Sequence, residues 1–293
     1  MPTHPHETLA CLIIDDPLLK PTYGCLNYEA LLAQMQKHRF FTQIAFIPYN
    51  WRRGDARTVQ LFSENKEYLG LCVHGCNHTK NEFGAGTYET LSELASTALW
   101  RMEKHKELTG LDYDPVMVFP QGRFSSLALR VLKEQGYIAA FNSTLQPTDG
   151  QQPPACEFEM PASTALNDFP VFLRRYPNDR DGFLRDINFG RPILIVEHHK
   201  AFLHGYQTIT ELVDWINSFG NVRWTSLGEI AGRFAQSFVA DHHCSRDLSA
   251  PPSLSRFQAR VGFRRLLSEF RDNVVETHPV LSTAYEQVRK LTG

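Results

Sequence analysis

The chain has 293 residues, a formal charge of -2 and 42% hydrophobic residues, enough for one large α/β domain with an ample core. Near-neutral charge excludes broad nucleic-acid binding, which needs a basic field. No apolar run approaches the ~20 residues that span a bilayer, Met1 to Glu7 lack the features of a signal peptide, and the 6 cysteines make no disulfide scaffold; the expectation is a cytoplasmic protein with reduced thiols.

In chain order, Cys11-Leu12-Ile13-Ile14-Asp15-Asp16-Pro17 reads as a short apolar strand ending in two carboxylates, with a proline that stops it. A loop from Lys20 to Cys25 leads to Asn27, a candidate N-cap for a helix through Arg39. Thr42 to Ile47 is the next strand, and Trp51 to Asp55 a polar turn. The run from about Tyr68 through Leu69-Gly70-Leu71-Cys72-Val73 ends in His74-Gly75-Cys76-Asn77-His78, with Gly75 free to turn the chain between the two imidazoles. Leu91, Leu94, Ala95, Ala98, Leu99 and Met102 recur at helical spacing within Thr87 to Leu108, and Gly110 caps that helix.

Pro115 to Phe119 is a strand running into Pro120-Gln121-Gly122-Arg123, followed by a helix over Ser125–Gln135 and strand-like Tyr137 to Asn142. Leu145 to Asn167 lacks periodicity and reads as a long loop of the kind that borders substrate. Pro170 to Arg174 is a short strand, Gly182 to Ile187 is helical, and Pro192 to His199 is a third strand that ends in acid and histidine. Thr208-Ile209-Thr210-Glu211 and Ser226-Leu227-Gly228-Glu229 read as capping boxes on either side of the strand Val222 to Thr225.

About seven to eight strands alternating with helices predict an α/β fold, a distorted (β/α) barrel of parallel strands over residues 1–240. Right-handed crossovers then bring the strand ends onto one face, where such folds place their chemistry. Asp15, Asp16, His74, His78, the 120–123 turn, His198 and His199 all follow strands and so predict one site. Two histidines and one carboxylate form a facial set for a divalent cation, which leaves the second carboxylate for acid–base work. Residues 241–255 are a linker rich in Ser and Pro, and 256–293 a helical extension with Phe257, Val261, Leu266, Leu267, Phe270 and Val274 on one face and several arginines beside them. That helix packs on the barrel or touches an anionic membrane surface peripherally.

The Ile13-Ile14-Asp15-Asp16 strand end, the His74-Gly75-Cys76-Asn77-His78 segment, the Phe119-Pro120-Gln121-Gly122 turn and the Ile195-Val196-Glu197-His198 strand, in that order, resemble the polysaccharide deacetylase superfamily, the NodB-like carbohydrate esterases. The resemblance covers residues 8 to 235. It implies a barrel that binds one divalent metal ion, commonly Zn2+, and removes N- or O-acyl groups from a carbohydrate. Asp16, His74 and His78 are then the metal ligands, Asp15 the general base and His198 the general acid, chosen over His199 because strand alternation groups it with Val196 and Leu194. Gln121 or a neighbour, Gly122 or Arg123, holds the oxyanion, with His199 the other candidate at the site.

The sequence departs from the family in having Val118 where an arginine usually braces the base, so that Arg123 is the candidate replacement. It also has Gly75 where many relatives carry Ser or Thr, although a His-Gly-x-x-His form followed by Glu82-Phe83 resembles a branch of the superfamily. Two other classes compete: a catalytically inactive carbohydrate-binding descendant of the fold, and a non-haem iron oxygenase. A cytoplasmic relative implies a nucleotide-linked or lipid-linked sugar. The Arg264 to Asn273 stretch is similar to tails on bacterial surface-polysaccharide proteins, which points to an O-antigen precursor.

Overall fold

The computed structural model describes residues 7–152, 162–166 and 168–235. The expected linker and tail helix lie outside the described residues. β1 (Thr8–Asp15) is followed by a hairpin of β2 (Thr22–Tyr23) and β3 (Leu26–Asn27), then α1 (Tyr28–His38), β4 (Thr42–Phe46), α2 (Ala56–Glu64), β5 (Leu69–His74) and α3 (Tyr88–Thr109). Next come β6 (Asp114–Val118), α4 (Ser126–Glu134), β7 (Ala139–Asn142), β8 (Thr164–Leu166), β9 (Phe169–Leu173) and α5 (Arg180–Asn188). β10 (Ile193–His198), α6 (Gln207–Asn217), β11 (Val222–Trp224) and α7 (Leu227–Ala235) complete the order.

The sheet runs β10-β1-β4-β5-β6-β7-β9-β8, with β11 also paired to β1. Its ladders are parallel except that of β8 with β9. A single parallel bridge from Arg175 to Ile195 joins the segment after β9 to β10, so the two flanks of the strand order touch at one point. This is the expected α/β architecture of parallel strands with flanking helices. No described helix is long and apolar enough to cross a membrane.

Strand alternation divides the core in two. Leu9, Cys11 and Ile13 of β1 share an inner cluster with Ala45, Cys72, Val116, Val118, Phe141, Phe172 and Leu194, while Ala10, Leu12 and Ile14 face an outer cluster under the helices. Leu227, Ile230 and Ala231 of α7 join the inner cluster. The α7 N-terminus meets the starts of β4 and β6, where Gly228 N donates to Asp114 Oδ2 at 2.8 Å. The helix therefore covers the inner core at the end where the strands begin. At the opposite end the same inward parity continues into polar residues: Asp15 after Ile13, His74 after Cys72, Arg174 after Phe172 and His198 two beyond Val196.

Local chemistry explains where sequence expectation and structure part. Asn27 caps α1 through Ala30 N at 2.8 Å, and Gly110, at φ 73, ends α3. The capping box at Thr208 is not formed, because α6 starts at Gln207 and the Thr210 hydroxyl bonds back to Gln207 O at 3.1 Å. Ser226 does accept from Glu229 N at 3.2 Å, yet the Glu229 carboxylate turns to Arg223 at 2.5 Å instead of closing its box. The expected loop 20–25 holds the start of the β2–β3 hairpin. The expected loop 145–167 contains β8, which pairs at the sheet margin; residues 153–161 and 167 of that loop lie outside the described residues.

Candidate metal centre

Asp16, His74 and His78 come together at the ends of β1 and β5. Asp16 Oδ1 lies 3.2 Å from His74 Nε2 and 3.0 Å from His78 Nε2. Although buried, that oxygen has no hydrogen bond, so the three atoms converge on a common point rather than on one another. Asp16 and His78 reach this geometry with left-handed backbones, φ 82 and 58, which a residue other than glycine adopts at a cost of roughly 1–2 kcal/mol each. Strain of this kind collects at functional sites when the surroundings impose it. Burial pushes the Asp16 carboxyl up, but the two imidazoles in their cationic form, His78 foremost, more than offset it and hold the group well below the usual carboxylate range.

The His74 ring is fixed by its other nitrogen, since Nδ1 lies 3.0 Å from Val118 O. A carbonyl only accepts, so Nδ1 carries the proton and Nε2 presents a lone pair, the tautomer that a metal requires. An orphaned carboxylate oxygen and an imidazole locked in its ligating tautomer fit a divalent cation.

The turn between the histidines is built around Glu82. Its buried carboxylate accepts from Cys76 N at 2.9 Å, Asn77 N at 2.8 Å and His78 N at 3.2 Å, an anion held in a nest of backbone amides. Arg101, reaching from α3, donates to Cys76 O at 3.1 Å and to Asn77 Oδ1 at 2.7 Å. Cys76 is buried in this turn, and burial pushes its thiol well up; it belongs to the packing, outside the ligand group. Gly75 has φ 61, and a Cβ there would collide with the Pro120 ring and the Glu82 carboxylate, so the Ser or Thr of many relatives does not fit this turn.

Asp15 faces inward beside this cluster. Arg174 clamps it with both terminal nitrogens, Nη1 to Oδ1 at 2.7 Å and Nη2 to Oδ2 at 3.1 Å, with both side chains buried. Burial pushes the Asp15 carboxyl up, Arg174 pulls it down with help from His74 and His198, and the balance lies below the ordinary value. His198 Nε2 stands 4.0 Å from Asp15 Oδ2, with the side chain 42% exposed. His199 points elsewhere: it is buried, edge-on to Tyr23 at 5.1 Å between ring centroids, and against Gly24.

Gln121 and Gly122 form the turn after β6 with left-handed φ of 54 and 66. Gly122 N donates to Phe119 O and Arg123 N to Pro120 O. Asn142 steadies the turn by donating to Gly122 O at 2.9 Å. Arg123 does not reach Asp15; its Nε donates to Asn81 Oδ1 at 2.7 Å. Sequence reasoning missed Arg174, and the signal was present, since it follows the predicted strand that contains Phe172 on the same inward parity. Glu82 was seen only as part of a motif, and its three amide contacts come from the turn it organises.

No family model and no curated protein matches this sequence. Solved structures do. A provisionally assigned polysaccharide deacetylase from Mycobacterium smegmatis aligns over 83% of this chain and 96% of its own, with a TM-score of 0.56 and 14% identity. A family 4 carbohydrate esterase from Bacillus anthracis aligns over 77% and 83%, at a TM-score of 0.47 and 16% identity. A family 4 pseudoenzyme from the same organism aligns over 78% and 66%, at 0.44 and 11%. The chain has the fold of the polysaccharide deacetylases.

Proposed function

We propose that this protein is a metal-dependent hydrolase that removes an acyl group, an acetyl in the first instance, from a carbohydrate. The observation that carries the reading is the pair of adjacent carboxylates held apart in role. Asp16 is turned by its positive φ toward the two histidines, while Asp15 is locked onto Arg174. A binding module has no use for the second, buried and ionised carboxylate.

Asp16, His74 and His78 would hold the cation, and two imidazoles with one carboxylate suit zinc. When bound, a divalent cation polarises the acyl carbonyl and makes a coordinated water acidic. Asp15, kept ionised by Arg174, would take the proton from the attacking water. His198, within reach of Asp15 and partly exposed, donates a proton to the departing amine or alcohol. Two amides of the 120–123 turn are engaged within the turn, and the Gln121 amide, in a left-handed residue, is the donor we assign to the developing oxyanion. A nucleotide-linked or lipid-linked sugar of a surface-polysaccharide pathway, and peripheral membrane contact by the chain beyond 241, belong to the same proposal.

The test is elemental analysis of the purified full chain with Asp16→Ala and His78→Ala beside it, followed by acetate release from acetylated sugars. We expect close to one zinc per chain, lost in both variants together with acetate release. Iron held by the same three residues would revive an oxygenase. Absence of metal under every loading condition would overturn the hydrolase and leave a carbohydrate-binding descendant of the fold.

A further inference from the structure

We propose that the sugar processed at this site carries an oxyanion, a carboxylate or a phosphate, and that Arg123 receives it; the proposal rests on the deacylase reading and deepens it. The first ground is charge. In the described loops at the site end the carboxylates already have local roles: Asp15 pairs with Arg174, Asp16 stands with the imidazoles in the ligand group, Asp55 takes the first amides of α2, Glu82 the histidine turn, Asp149 Ser126 and Asp179 Arg175. The exposed cations Lys20, Arg52, Lys80 and Arg123 on the same loops have no ion pair among the described residues. An anionic substrate group therefore meets, on these loops, cations that no described carboxylate already holds.

The second ground is that Arg123, unlike a free surface lysine, is held. Its Nε donates to Asn81 Oδ1 at 2.7 Å, and Asn81 N in turn donates to Gln121 Oε1 at 3.0 Å. Both partners are left-handed, Asn81 at φ 59 and Gln121 at φ 54, and a Cβ on Gly84 would collide with Asn81 Oδ1. Two strained residues and an immobilised long side chain oppose folding, and two exposed hydrogen bonds offset little of that. What the arrangement yields is a guanidinium pinned at Nε with both terminal nitrogens uncommitted, a fork that matches an oxyanion in two-point contact.

Position completes the case. Asn81 is three residues beyond the ligand His78, and Gln121 carries the amide assigned to the oxyanion of the reaction, so the fork stands where the ligand turn and the 120–123 turn meet. Arg174 already braces Asp15, which leaves Arg123 without a role in the base.

The experiment is calorimetric binding to the full, zinc-loaded chain of three methylsulfonamide analogues that cannot be deacylated: neutral glucosamine, its 1-phosphate and its uronic acid. We expect one anionic analogue to bind at least tenfold tighter than the neutral one, with the better anion telling phosphate from carboxylate. The preference should fall to near parity in Arg123→Gln. It should weaken in Asn81→Gly, which keeps every charge and removes only the anchor. Equal binding of all three analogues, or a preference that survives Arg123→Gln, overturns the proposal. A preference unchanged in Asn81→Gly overturns the anchored fork. Failure of the wild-type protein to release acetate from any acetylated sugar would count against the deacylase reading, and the binding ratios would still decide the role of Arg123.

Discussion

The two halves of the candidate site are built in opposite ways. The metal-ligand half is local: His74, His78 and the Glu82 carboxylate that shapes their turn all lie within residues 74–82, and only Asp16 is brought in from another strand. The base half is assembled across the sheet, for Asp15 takes its partner Arg174 from 159 residues away. A local half is specified by residue type and spacing, because the turn fixes the geometry wherever it is placed. The long-range half is specified by strand order and parity, and it fails if either is disturbed. The two should therefore fail separately.

Arg174→Ala should have the largest effect. It leaves Asp15 buried without its cation, and breaking a buried pair in this way costs about 3–5 kcal/mol. Urea unfolding should record that loss and acetate release should vanish, while zinc stoichiometry measured below the transition holds near the wild-type value. Loss of zinc in parallel with stability would show that the halves are one unit.

Glu82→Gln sharpens the other side. It removes the charge that gathers three amides under His78 and turns an acceptor into a donor facing N–H groups. Loss of such a supporting contact typically lowers metal affinity about 10–100-fold, and an unsatisfied buried polar group costs about 1–3 kcal/mol. Competition with a chromogenic chelator should show the weaker zinc binding. Affinity equal to wild type would mean that Arg101 alone holds the turn.

The same contrast explains what the sequence makes legible. The parallel α/β plan, the ends of α1 and α3, and the gathering of strand ends follow from alternation, caps and apolar runs, all of which are local signals. Asp16, His74 and His78 meet because they stand at strand termini, which the apolar runs mark. Arg174 was not legible as the brace because its partner Asp15 stands on β1, which β9 approaches only across the Arg175–Ile195 bridge to β10, a matter of strand order that no spacing carries. The Val118 position, where an arginine was missed, lies in the inner core and contributes its carbonyl to His74 instead. β8 and the β2–β3 hairpin escaped because strands of two or three residues are too short to show a period.

The smallest effect is the most discriminating, because it reads the base without unfolding the protein. The folded Asp15 carboxyl lies below its ordinary value. Its contribution to stability, and its competence as a base, are therefore fully present above the unfolded value and are lost as pH falls through the folded one. In Arg174→Lys, a point charge replaces the two-point clamp, so burial regains part of its hold and the Asp15 pKa rises. The acid limb of kcat/KM should then move to higher pH relative to wild type. In Glu82→Gln, whose contacts are with the histidine turn and not with Asp15, the limb should stay where it is once zinc is saturating. A limb that moves equally in both variants would assign the titration to metal binding and not to Asp15; a limb that moves in Arg174→Lys alone ties the base to the guanidinium supplied from the far side of the sheet.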